Sequence, residues 1–357
     1  MFTIVDVDHL AGGDGFPGAA TRAHVNAPTG LAAAKDCTLF FADNVNNQVF
    51  ALSPAGLLSV VAGTGACGHA GDGGPAAAAQ LCAPLDVALD ETHGRRTLYV
   101  VDGPVIRALD LTAAPPSINL FAGGGSAPGP GYGDGSAASF AALNSPQHVS
   151  VDPSGSFVYI VDNGSGRFRR VDLSNGNINA WLSVPPNVIC TSSNCSAFQH
   201  DCALGFDAMG TPYVSWTPYF SNGCNGGSSS GGGTVFRVAP DLSTTPIAGG
   251  GSNGGEGVPA TNALLSPVIS QLFFDPGGSL YLLERSNHRV RKLSDLTAAA
   301  TIKTVIGTGA SGNGADFAAP TATALSSPWA IEVLASGAMV VSDTNNAALR
   351  AIWPPYP

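Results

Sequence analysis

Charge is what this chain has least of. Only 11% of its residues are Asp, Glu, Lys or Arg, against about a quarter in an ordinary soluble chain. With so few Lys, Glu and Arg, long amphipathic helices are hard to find. Fifteen Lys and Arg stand against 25 Asp and Glu, for a net charge of −10. Nucleic-acid binding needs Lys and Arg to neutralise phosphates. No basic run exceeds "RFRR" (167–170), so nucleic acid is excluded as a partner, and an anionic membrane surface with it. No stretch approaches the ~20 apolar residues of a membrane-spanning helix, which excludes membrane insertion by that route. The opening "MFTIVDVDHL" has no basic segment and no long apolar run, so it does not read as a signal peptide. The H-E-x-x-H motif is missing, and the G-x-S-x-G matches at 227–231 and 250–254 lie in glycine-rich stretches without the strand-to-helix setting of a nucleophile elbow.

Glycine (46) and proline (26) are plentiful, and 44% of the residues are hydrophobic. That is enough for a large core divided by many turns. In "VAGTGACGHAGDGGP" (61–75), Gly63, Gly65 and Gly68 spell G-x-G-x-x-G after an apolar run, the pattern of a dinucleotide-binding turn. The same order of features returns at 10–32, 122–152 and 248–275, and "GTGASG" (307–312) repeats the spacing. A dinucleotide fold needs one such loop followed by a helix, and "PAAAAQLCAP" stops at Pro84. The glycines therefore mark a repeat.

Marker prolines at Pro28, Pro84, Pro146, Pro267 and Pro328 give a period of about sixty residues, with Asp201 standing in for a sixth. Each unit holds four short apolar or alternating runs, as in "QHVSVD", "FVYIVD", "RFRRVD" and "INAWLS". Radially repeated four-stranded units make a β-propeller. The sequence predicts an all-β, six-bladed, single-domain propeller with blades near 28–62, 84–122, 146–184, 201–248, 267–306 and 328–353. The last unit has only three runs, so residues 3–10 are expected to supply its fourth strand and close the ring.

The order P-x-x-[VIL]-A-x-D, then a strand ending D-x-x-N-x-x-[VI], then V-A-G-T-G with G-D-G-G-P-A resembles the NHL-repeat propellers. "LFFADNVNNQVFAL" (39–52) and residues 61–90 are close matches. The resemblance spans five of the six units. It implies the fold and leaves function open, because NHL propellers include binding modules, adhesion modules and enzymes.

In a propeller the d–a and b–c loops emerge on one face, here called upper. Cys67, Cys82, Cys190, Cys195, Cys202 and Cys224 all fall on upper loops, and only Cys37 lies on the other face. Such sorting points to disulfides and an extracellular setting. The expected pairs are Cys67–Cys82, Cys190–Cys195 and Cys202–Cys224, with Cys37 free.

Two functional readings follow. Blade 4 departs from the repeat through "PPNVICTSSNCSAFQHDC" (185–202) and "TPYFSNGCNGGSSSGGG" (217–233), both on the upper face. They bring Phe198, Trp216, Tyr219 and Phe220 together, with Trp329 near the channel, as candidate contacts for a carbohydrate or protein ligand. This favours a non-catalytic binding or adhesion module without a cofactor, free-standing or within a larger protein. The alternative is a metal-dependent lyase or hydrolase at the channel mouth around Asp86 and His148, with calcium or another metal. The fold resembles paraoxonase and strictosidine synthase relatives, and the zinc-holding amidating lyases, which imply several oxygen ligands or three histidines there. The channel positions supply one histidine. The strand-end acids Asp43, Asp102, Asp162, Asp343 and Glu284 read as turn caps, and Asp14, Asp72, Asp134 and Glu256 as turn formers more than calcium ligands.

Overall fold

The computed structural model describes residues 8–11 (backbone), 25–126, 132–183, 202–217, 232–315 and 318–353. They form six antiparallel sheets, each with strands a to d running outward from a common axis. Blade 1 is Pro28–Ala33, Leu39–Asp43, Gln48–Leu52 and Leu58–Ala62. Blade 2 is Pro84–Asp90, Thr97–Asp102, Val105–Asp110 and Ser117–Ala122. Blade 3 is Pro146–Val151, Phe157–Asp162, Arg167–Asp172 and Ile178–Ser183. Blade 4 is Ala203–Phe206, Pro212–Trp216, Thr234–Val238 and Thr244–Gly249. Blade 5 is Ile269–Phe274, Leu280–Glu284, Arg289–Leu293 and Thr301–Ile306, with Val258–Pro259 paired outside strand d. Blade 6 is Pro328–Val333, Met339–Asp343 and Ala348–Ile352.

The fourth strand of blade 6 is Asp8–Ala11, antiparallel to strand c with Asp8 opposite Ala351. Residues 3–7 of the expected closing strand lie outside the described residues. Neighbouring a strands touch around the whole circle, blade 6 to blade 1 included, so the propeller is closed. Deleting residues 1–11 should remove these ladder bonds and cost about 2 kcal/mol, at roughly 0.5–1.5 kcal/mol per bond. A truncated chain that melts with the full chain would show that this strand does not hold the ring.

The b strands read as unbroken apolar runs because each lies between two other blades. Side chains alternate across a strand, and here the alternation divides each run between two interfaces. Leu98 and Val100 pack toward blade 1, while Tyr99 and Val101 pack toward blade 3. Leu280 and Leu282 face blade 4, and Tyr281 and Leu283 face blade 6. The core is thus six apolar clusters, one at each blade–blade interface.

Four arginines from strand c, Arg107, Arg169, Arg291 and Arg350, are fully buried. Two of them link pairs of the acids flagged in the sequence, and a third binds one such acid. Arg107 reaches Asp102 at 3.3 Å and Asp72 at 2.7 Å. Arg169 holds Asp134 at 2.6 Å and lies 3.8 Å from Asp162. Arg350 binds Asp343 at 2.6 Å and Asn313. In blade 5 Glu284 pairs instead with Arg289, and Arg291 donates to the Gly255 carbonyl at 2.8 Å. The strand-end acids do more than cap the turn that follows. They accept amides from the loop entering their own blade, such as Cys82 on Asp102 and Asn144 on Asp162, both at 2.6 Å. Each Asp or Glu thereby pins the upper end of strand a to strand b.

The glycine loops have a conformational cause. Gly63 has φ +94°, and a Cβ there would sit 2.3 Å from the Asn47 carbonyl oxygen. The loop then reaches only a three-residue 3-10 turn, Ala76–Ala78, too short to offer a helix N-terminus to a phosphate. Cys67 and Cys82 are joined by a disulfide across this loop. Cys37 is free and half-buried. Cys202 is buried in the blade 3–4 interface, and Cys190, Cys195 and Cys224 lie outside the described residues.

Candidate functional site

The a strands enter the ring at the upper face and leave at the lower. Their equivalent channel positions, set by pairing with strand b, are Gly30, Asp86, His148, Ala203, Gln271 and Ala330. The polar members bridge neighbouring blades. Asp86 Oδ2 accepts the Val149 amide of blade 3 at 2.9 Å and lies 2.6 Å from His148 Nδ1. His148 Nε2 lies 3.0 Å from the Leu204 carbonyl oxygen of blade 4. Gln271 Oε1 accepts the Ile331 amide of blade 6 at 2.6 Å. Gly30 leaves the room that Asp86 fills, since a Cβ there would meet Asp86 Oδ1 at 2.1 Å.

Asp86 and His148 are 3% and 8% exposed. The sequence places them at an upper channel mouth. In the structure both are buried, as are Thr29, Ser270 and Trp329, each one residue before the channel position of its own strand. Burial pushes the His148 pKa down, but the adjoining Asp86 carboxylate outweighs it and the net direction is up. Nδ1 faces the Asp86 carboxylate and Nε2 the Leu204 carbonyl, so these contacts favour the doubly protonated ring. In that form it has no lone pair for a metal or a substrate proton. The described channel residues therefore do not fit a histidine-held zinc. Nor do they gather the six to eight oxygen ligands of calcium.

Below this layer the channel widens into a cavity of about 300 Å³. It is lined by the second halves of the a strands and by Pro153 of an a–b turn, so its mouth is on the lower face. Glu332, two residues after Ala330, lines it. Burial pushes the Glu332 carboxyl up to about 8, with the nearby Asp86 charge adding to the shift. The sequence reading missed Glu332. Its signal is the period-two alternation of strand a in "WAIEVL", which puts Glu332 on the same side as the channel position Ala330.

On the upper face a hollow of about 400 Å³ is lined by Asn44, Leu85, Pro104 and Gln147, among others. Of the aromatic candidates, Trp216 is buried and stacked on Phe236 at 4.1 Å, which makes it part of the blade 4 core. Trp329 is largely buried in the blade 6–1 interface, with the Arg285 guanidinium 4.2 Å above its ring. Phe198, Tyr219 and Phe220 lie outside the described residues. Asp72, Asp134 and Glu256, the acids weighed as calcium ligands, are engaged with Arg107, Arg169 and, for Glu256, Thr304. Among the described residues no group of three or more His, Cys, Asp or Glu is assembled for a metal, and no helix is long and apolar enough to cross a membrane.

Fold and channel together define a closed six-bladed β-propeller clipped by at least one disulfide. No family model and no curated protein matches the chain. Solved structures do. A protein of unknown function from Bacteroides thetaiotaomicron superposes with a TM-score of 0.65 at 12% identity, over 98% of this chain and 75% of its own. An auxiliary nutrient binding protein from the same organism gives 0.59 at 13%, over 92% and 69%. A gluconolactonase from Xanthomonas campestris gives 0.55 at 15%, over 93% and 87%. At these identities the likeness is one of fold, and the fold serves both binding proteins and enzymes.

Proposed function

We propose that this chain is a non-catalytic, extracellular binding or adhesion module built of NHL-like repeats. Its ligand, a carbohydrate or a protein surface, meets the upper face around blade 4. The observation that carries the non-catalytic reading is the state of His148, whose two ring nitrogens are both occupied. The lyase or hydrolase alternative would need one of them, or Asp86, as base or ligand, and no step of the binding reading requires a metal. The placement rests on blade 4 itself. Its two insertions leave from the upper ends of strands, between Ser183 and Ala203 and between Trp216 and Thr234. They carry Phe198, Tyr219 and Phe220, and aromatic side chains are enriched at interface hot spots. The low charge of the chain favours stacking and hydrogen bonding over ion pairing. The Cys67–Cys82 disulfide and the nutrient-binding fold neighbours support an extracellular setting.

Affinity electrophoresis against a panel of soluble polysaccharides, with pull-down for protein partners, should identify the ligand. Replacing Tyr219 and Phe220 together by Ala should then weaken binding by roughly 1–4 kcal/mol without changing the melting midpoint. Undiminished affinity in that double variant would move the site away from blade 4.

A further inference from the structure

We propose that the lower half of the central channel is a second binding site, for a small organic cation such as a quaternary ammonium compound, with Glu332 as its counter-charge. The cavity of about 300 Å³ is at the small end of the range for ligand sites. Among the described residues its ionisable lining groups are Asp86, His148 and Glu332, with no lysine or arginine. Asp86 and His148 neutralise each other at 2.6 Å and are tied to blades 3 and 4. Glu332 is different. Its carboxyl accepts one long hydrogen bond, from the adjacent Val333 amide at 3.3 Å, and otherwise faces the cavity. Toward the mouth the wall includes Phe206, Phe273 and Phe274. Aromatic faces attract cations, and alkylated ammonium groups most of all, because those lose little hydration on entry.

The charge state of Glu332 supports the same assignment. With its carboxyl pushed up to about 8 by burial, and further by the Asp86 charge, it holds a proton at neutral pH. An entering cation takes the place of that proton. Binding should therefore release a proton below about pH 8 and strengthen as pH rises toward that value. A metal ion would not do the same, since one free carboxylate falls far short of the oxygen ligands calcium takes.

The test uses the full chain and choline, with neohexyl alcohol as its uncharged carbon isostere. Calorimetry should show choline binding, ~10-fold or more tighter than the alcohol, with proton release that depends on buffer. Glu332→Gln should lose most of that preference. Ser150→Leu, which narrows the cavity without touching the carboxyl, should weaken both ligands and decides the matter if the first variant fails to fold. No choline binding, equal binding of the alcohol, or full affinity in the folded variants would overturn the proposal. The mouth is on the lower face and the blade 4 insertions leave from upper strand ends, so Tyr219→Ala and Phe220→Ala should leave choline binding unchanged. The two sites thus stand or fall separately.

Discussion

Replacing Arg169 by Met should destabilise the propeller by about 3–5 kcal/mol, the cost of removing one partner from a buried ion pair. Met keeps much of the volume, so the loss is electrostatic. Arg169 is fully buried and donates to the Ala142 carbonyl at 2.8 Å, the Tyr132 carbonyl at 3.1 Å and Asp134 at 2.6 Å. Asp162, itself buried, lies 3.8 Å away, and burial already pushes its carboxyl upward. Without the guanidinium, two carbonyls lose donors and Asp162 loses its balancing charge. Adding Asp162→Asn should recover part of the loss, since the amide carries no charge to compensate. Urea denaturation of both variants checks this. A cost below about 1 kcal/mol for Arg169→Met would place it with exposed pairs and deny it a structural role.

Stability should fall as pH rises from about 5 to about 9, and Glu332→Gln should remove much of that fall. The folded Glu332 holds its proton up to about 8, against an ordinary value of 4.5. Between those values the native state binds one proton more than the unfolded state, so each step up in pH favours unfolding. A tenfold change in proton affinity is worth about 1.4 kcal/mol, and the slope can accumulate to several kcal/mol. His148 acts in the same direction over a higher window. Its raised pKa stabilises the fold fully below 6.5 and less as pH passes through the folded value. Thermal melts across the range should show the Gln variant close to the parent at the acid end and more stable than it at the alkaline end. Parallel curves for the two proteins would mean that Glu332 ionises normally in the channel.

Much of the architecture was legible in one dimension because the repeat is physical. Every unit must turn from strand d back to the axis, and the chain makes that turn with positive-φ glycines such as Gly63 and Gly65. The marker prolines sit where strand a begins, at Pro28, Pro84, Pro146 and Pro328. Blade 5 shows the limit of that reading. Its first strand begins at Ile269, so Gln271, four residues after Pro267, holds the place that Asp86 and His148 hold two residues after their prolines.

Sequence by itself determined the blade count, the four-strand plan and the closing role of the N-terminal segment, because each follows from local periodicity; the Cys67–Cys82 pair was expected from it and is shown only by the structure. Only the tertiary structure decided what the acids do. Asp72 and Asp102 are 30 residues apart, and the loop acid reaches the strand-end acid only through Arg107, brought between them by the third strand. Likewise Asp86 and His148 come from different blades, and whether such a pair works on a ligand or holds the ring depends on what else each atom touches. Here the Val149 amide and the Leu204 carbonyl occupy them. Those contacts run between blades, where sequence spacing says nothing of distance.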